Sequence, residues 1–135
     1  MPLLVDTGVV YALADRRDAW HARVQRYLRR HRETLLAPVT ILPEVAYLLR
    51  HRIGADAELA FVRSIARGEL AIEPIRRVDL SRTEALMSTY GDLGFVDTTI
   101  IAIAERLKVS LIATTDRRHF AVVRPAHCDQ FVLVP

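Results

Sequence analysis

The chain has 135 residues, 51% of them apolar, with one cysteine, a formal charge of +3 and a pI of about 9.5. That is enough apolar material to close one core without disulfides or structural metal, which excludes a cystine-stapled scaffold and leaves no length for a second domain. Cys128 has no partner, no cluster has zinc-ligand spacing, and no apolar run reaches the roughly 20 residues that cross a bilayer.

The N-terminal Met1-Pro-Leu-Leu-Val-Asp6 meets an acid too early for a secretory signal, so a cytoplasmic protein without membrane contact is expected. The basic balance is almost all arginine, Lys108 being the only lysine. Guanidinium forks suit phosphate oxygens, although genome composition produces the same bias.

In chain order, Leu3 to Val5 reads as a short buried strand that stops at Asp6-Thr7-Gly8, with a helix following at once. Residues 19–30 form an amphipathic helix, with Ala19, Val24, Tyr27 and Leu28 on one face and Arg23, Arg26, Arg29 and Arg30 mostly on another, first of all a solvated face. Leu35 to Ala37 is a second strand closed by Pro38. A helix over 40–51 tolerates Pro43 only in its first turn, which puts Glu44 near the helix N-terminus. Residues 55–67 are helical up to Gly68, and 71–75 form a strand interrupted by Glu73 and Pro74. A helix over 80–90, capped by Asp79 or Ser81, breaks at Gly91 to Gly94. Residues 95–107 are the most apolar helix, 110–114 a strand, 116–120 a tight turn or short helix, and 131–134 a last strand. Strands separated by helices describe an α/β domain with a parallel sheet covered on both faces.

Open parallel sheets bind ligands at the carboxyl ends of their strands, beside the N-termini of the helices that follow. Asp6 and Asp116 fall there; each alone is explained equally well as a helix N-cap. Asp97 lies in the otherwise uncharged Phe95-Val96-Asp97-Thr98-Thr99-Ile100-Ile101, where an ionised carboxylate needs a helix N-terminus or a cation to offset its desolvation. Glu44, flanked by Ile41, Leu42, Val45 and Ala46, is either a first-turn glutamate favouring the helix dipole or a fourth member of the set. Carboxylates gathered at one sheet edge repel one another, and a hard divalent cation, Mg²⁺ or Mn²⁺, resolves this. Such a site suits phosphodiester hydrolysis. Thr7 and Thr114 stand beside the acids as hydroxyl donors to a water, a carboxylate or the scissile phosphate, or as ordinary strand-end threonines.

With these motifs in place, Val5-Asp6-Thr7, Pro43-Glu44-Val45, Gly94-Phe95-Val96-Asp97-Thr98 and Thr114-Thr115-Asp116-Arg117-Arg118-His119-Phe120, the chain resembles PIN domains nearly end to end, and within them the VapC-type toxins of bacterial toxin-antitoxin pairs. The resemblance implies a single PIN-like domain over 1–135, with a central parallel sheet of four to five strands flanked by helices, and an endoribonuclease requiring Mg²⁺ or Mn²⁺. It assigns metal-binding aspartates to Asp6 and Asp97 and the remaining acids of the motif, catalytic and metal-binding with them, to Glu44 and Asp116. It also implies an RNA substrate, a cognate VapB-type antitoxin that blocks the site, and a toxin homodimer. Gly8 departs from the serine or alanine of many relatives and is expected to loosen the first helix. Asp92 is a capping residue or an extra acid lining the site.

Arg117 and Arg118 follow Asp116 directly, and one of them is expected to reach a substrate phosphate, whereas His119 is expected to be structural, beside Phe120. Arg16, Arg17, Arg76 and Arg77 are second-rank candidates. Trp20 and Tyr11 stack on an unpaired base or, more commonly, pack, Trp20 against an antitoxin segment or another helix. Four rivals stand beside this reading. Histidine-based ribonuclease chemistry would draw on His21, His31, His51, His119 and His127. A non-catalytic PIN-like binding module, or a housekeeping RNA-processing nuclease, would keep the same acids. An aspartyl-nucleophile phosphatase is disfavoured because Gly8 stands where its second aspartate belongs.

Overall fold

The computed structural model describes residues 1–135 and shows five strands and seven α-helices. They run in the order β1 (Leu3–Val5), α1 (Thr7–Ala14), α2 (His21–Arg30), β2 (Leu35–Pro38), a 3₁₀ turn (Val39–Ile41), α3 (Leu42–Arg52), α4 (Ala55–Ala66), β3 (Ala71–Glu73), α5 (Arg77–Thr89), α6 (Phe95–Leu107), β4 (Leu111–Ala113), α7 (Arg117–Ala121) and β5 (Val132–Val134). The sheet is wholly parallel in the order β3-β2-β1-β4-β5. The chain therefore moves from β1 outward through β2 to β3, then crosses back to the far side of β1 for β4 and β5. The strand order reverses between β1 and β4, which is where an open α/β sheet leaves a crevice at its carboxyl edge.

All three residues of β1 are buried, as the uninterrupted apolar run Leu3-Leu4-Val5 requires of a central strand covered on both faces. Ile100, Ile101, Ile103 and Ala104 of α6 are fully buried in the same core as Val9 and Ala12 of α1 and Val45 and Leu49 of α3. Pro43 sits in the first turn of α3, where its missing N–H costs no intrahelical bond. Gly68 ends α4 in the left-handed region, φ 78°, a conformation that glycine adopts without a Cβ clash.

The helix expected over 80–90 starts earlier, at Arg77, and the reason is Asp79. Its side chain accepts the Arg76 N–H at 2.9 Å, satisfying an otherwise orphan donor of the first turn. Its other oxygen accepts from Nε of Arg106 on α6 at 2.8 Å. Arg106 also pairs with Glu73 at the end of β3, at 3.0 Å. This network of Glu73, Asp79 and Arg106 clamps α5 to α6 with Asp79 only 1% exposed. Removing one member of a buried charge network strands the others, which costs about 3–5 kcal/mol. Because Arg106 keeps Glu73, Asp79→Ala is expected at the lower end, about 3 kcal/mol, as a shift of the urea unfolding midpoint at unchanged slope.

Candidate active site

Each acid singled out in the sequence is placed by the start of a helix at the carboxyl edge of the sheet. Asp6 is the residue after β1; its N–H donates to the Ala113 carbonyl of β4 at 3.1 Å, so the backbone seats it on the β1/β4 switch. Its carboxylate accepts from the Val9 N–H at 2.8 Å and caps α1. Asp116 caps α7 in the same way, accepting from the Arg118 N–H at 3.3 Å. The capping explanation and the shared-edge explanation thus both describe these two residues. Asp97 is not a cap: Gly94 holds that position, and Asp97 lies in the first turn of α6. Glu44 lies in the first turn of α3, exposed on the rim. The hydroxyls of Thr40 and Thr99 meet at 2.7 Å and tie the turn before α3 to the start of α6, bringing Glu44 and Asp97 to the same mouth.

The electrostatics register this crowding. Asp6 is 5% exposed, and its carboxyl is pushed up to about 6. Burial is the largest cause; the Thr114 hydroxyl and the Val9 amide pull it partly back, and the charges of Asp97 and Asp116 push it up again. Asp97 is raised as well, first by burial, with the His119 ring opposing this and Asp116 and Glu44 adding to it. As the side chains stand, no three of these donors converge on one point at ligand distance. The donor chemistry nevertheless fits a hard divalent cation: the acids supply carboxylate oxygens, Asp6 and Asp97 resist ionising without compensation, and the buried Thr7 hydroxyl next to Asp6 has no partner.

At three positions the structure adds to the sequence reading. His119 is not merely packed beside Phe120: its Nδ1 lies 3.0 Å from Asp97 and 3.4 Å from Asp116, between the two acids. The signal available was its spacing three residues after the α7 cap, which brings it back over Asp116. The buried Thr114 hydroxyl, which pulls the Asp6 carboxyl down, also lies 2.9 Å from the Asp116 carbonyl and accepts the Asp116 N–H at 3.0 Å, shaping the turn that aims Asp116. At Gly8 a Cβ would collide with the Thr115 hydroxyl, so glycine lets α1 close onto the β4–α7 turn.

Arg117 donates to the Pro135 carbonyl, while Arg118 is 89% exposed with its guanidinium 3.6 Å from Asp116. Arg118 and His119 also line a hollow of about 560 Å³ with Asp92, which is thus beside the site, and Tyr90. The other histidines are engaged elsewhere: His21 Nδ1 lies 2.7 Å from the Ala12 carbonyl, His127 Nε2 lies 2.8 Å from that of Val109, and His31 and His51 stack on Tyr27 and Tyr47. No second histidine stands near His119 to complete an acid–base pair.

Residues 3–124 match the model of the PIN domain. The chain belongs to the PIN-domain family. It is 28% identical to Ribonuclease VapC26 of Mycobacterium tuberculosis (strain ATCC 25618 / H37Rv), over 98% of this chain and all of that one. The same PIN fold is seen in the crystal structure of Mycobacterium tuberculosis VapC20, a sarcin-ricin loop cleaving toxin, with a TM-score of 0.81 at 21% identity, covering 94% of this chain and 98% of that one. A toxin-antitoxin complex from Klebsiella pneumoniae superposes with a TM-score of 0.71 at 20% identity, covering 90% and 92%. No helix of this PIN domain is long and apolar enough to cross a membrane.

The raised Asp6 ionisation has a stability consequence. The unfolded chain releases this proton near pH 4 and the folded protein near 6, so between the two the folded state binds more protons and its stability falls as pH rises. By pH 8 the ionised Asp6 costs the metal-free protein up to about 3 kcal/mol, and below about pH 4 it costs nothing. Asp6→Asn is therefore expected to raise the melting temperature in EDTA at pH 8 and to leave it unchanged at pH 4, read by calorimetry. A second expectation concerns Gly8: Gly8→Ala lowers the melting temperature by several degrees, and adding Thr115→Ala, which removes the colliding hydroxyl, restores most of the loss.

Proposed function

We propose that this chain is a divalent-metal-dependent endoribonuclease and the toxin component of a toxin-antitoxin pair. The carrying observation is the gathering of Asp6, Asp97 and Asp116 at the β1/β4 switch, with Glu44 on its rim and with Asp6 and Asp97 resisting ionisation. In a PIN domain 28% identical to a protein named as a ribonuclease, that arrangement supports RNA phosphodiester hydrolysis.

Asp6, Asp97 and Asp116, with Glu44, would hold Mg²⁺ or Mn²⁺. When bound, such an ion activates water and stabilises charge in an in-line displacement at phosphorus. The remaining tasks fall to the chain. Asp6 is held by its cap to Val9, and Asp116 by its cap to Arg118 on the Thr114 turn, so each loses less side-chain freedom on engaging a ligand. His119 orients Asp97 and Asp116 from one side. Thr7 offers a hydroxyl with no competing partner, and Arg118, exposed on the rim beside Asp116, is placed to meet a phosphate oxygen.

Two partners belong to this reading. An antitoxin is supported by the toxin-antitoxin complexes among the structural relatives and by an apolar cleft of about 340 Å³ between α1 and α4, lined by Val10, Leu13, Phe61 and Leu70. A homodimer is supported by Leu80, Met87, Phe95 and Val122, which leave large apolar side chains in water on α5, at the start of α6 and after α7.

The test is cleavage of total RNA by purified, antitoxin-free protein in Mn²⁺. Discrete fragments are expected, with Asp6→Asn and Asp97→Asn each lowering the rate at least about a hundredfold and excess EDTA abolishing it. Full activity in EDTA would overturn the metal requirement. No cleavage by folded, Mn²⁺-binding protein would point to a PIN domain that only binds a partner.

A further inference from the structure

Between Asp18 and Glu33 the chain carries five arginines, Arg23, Arg26, Arg29, Arg30 and Arg32, and no acid. All five are exposed, and none takes part in an ion pair. Elsewhere the arginines are more often neutralised: Arg50 pairs with Glu58, Arg82 with Glu105, and Arg106 with Glu73 and Asp79. An unneutralised run on one helix is a local positive field that the modest net charge of +3 conceals.

Where that field lies follows from the sheet. β5 pairs in parallel with β4, so Pro135, the residue after β5, emerges at the same carboxyl edge as Asp116. Pro135 accepts from Arg117, the residue next to Asp116. On its other side Pro135 closes a hollow of about 210 Å³ with Arg23, Arg26, Tyr27 and Arg30. These three arginines are spaced three and four residues apart, one stripe of α2 about 10 Å long. Arg23 is further held over the Trp20 ring, its guanidinium carbon 4.4 Å from the ring centre. Pro135 therefore links Arg117, beside the acids, to the arginine stripe of α2.

Resting on the ribonuclease reading, we infer that Arg23, Arg26 and Arg30 form a track for the RNA sugar–phosphate backbone beyond the cleaved linkage, with Arg117 joining the track to the active site. The acids of the site repel the polyanion they act on, and a flanking stripe of unpaired guanidinium groups offsets that repulsion where it does not disturb the reacting phosphate. An acidic protein segment would also be attracted to arginines, but the continuity with the catalytic edge through Arg117 and Pro135 favours the substrate.

The experiment compares wild type with Arg23→Gln/Arg26→Gln/Arg30→Gln in Mn²⁺, on a labelled RNA of about 20 nucleotides containing the cleaved sequence. A control triple, Arg63→Gln/Arg67→Gln/Arg124→Gln, removes the same charge elsewhere, at exposed arginines outside any ion pair. RNA affinity is measured against salt with Asp6→Asn added to each protein to prevent turnover, and melting curves check folding. For the α2 triple the expected result is a KM raised at least about tenfold with kcat within about twofold. The slope of log affinity against log salt becomes shallower by about 2, roughly 0.7 for each lost phosphate contact on a single strand. Lysine at the three positions restores most of the slope, and the control triple behaves as wild type.

Unchanged KM and salt slope in the α2 triple, or equal losses in the control triple, would overturn the track while leaving the nuclease standing. Unchanged RNA behaviour with weakened antitoxin binding would overturn it in favour of a protein surface. If wild type itself cleaves no RNA with any divalent ion, the ribonuclease reading fails on its own control and the track falls with it. Should the triple unfold, Arg26→Gln/Arg30→Gln carries the same comparison, with a slope change of about 1.4.

Discussion

Like charges forced together at the desolvated edge of a buried sheet are the constraint around which this molecule is organised. Asp6 is seated there by a backbone hydrogen bond to β4, one residue past a strand with no exposed side chain, and it cannot move to water without breaking the β1/β4 pairing. Asp97 arrives in the first turn of α6 and Asp116 as the cap of α7, and each makes ionisation of Asp6 less favourable. A site of this kind is unstable by construction and must be held shut by the rest of the fold.

The holding elements are identifiable. The Glu73–Asp79–Arg106 network clamps α5 to α6, and α6 carries Asp97. The Thr40–Thr99 hydrogen bond ties the start of α3 to the same turn of α6, so Glu44 and Asp97 cannot drift apart independently. The absent Cβ of Gly8 lets α1 approach the Thr115 turn, which keeps Asp6 and Asp116 on one wall. His119 then occupies the space between Asp97 and Asp116, where a ring nitrogen is better tolerated than a third oxygen. Core packing supplies the force behind all of these, through the fully buried Ile100, Ile101 and Ile103 of α6.

Charge is segregated rather than balanced. The floor of the crevice is acidic, and the arginines of α2, with Arg117 and Arg118, lie on its flanks. The net charge is only the sum of these opposing regions, which is why a basic pI by itself says little about nucleic acid here. The spatial order carries the information: the acids gather at the carboxyl edge of the sheet, and the unpaired arginines stand apart from them.

Taken alone, the sequence determined the α/β class and the positions of the four acids. An apolar run that stops abruptly at Asp6, a lone acid in the apolar 95–104 stretch and a glutamate one residue after Pro43 are local signals, readable because burial and helix starts are local in the chain. The start of α5 at Arg77 was not readable, since it depends on Asp79 finding Arg106 across 27 residues. His119 lies on a five-residue helix too short to show periodicity, and only the docking of α7 against α6 turns it toward Asp97. Thr114 and Gly8 likewise depend on which turn each meets. The basic face of α2 was visible as a stripe but not as a neighbour of the site, because that relation runs through the parallel pairing of β5 with β4. Contacts within a few residues are written in the periodicity of a chain; contacts that need two distant elements to dock are decided only when the core closes.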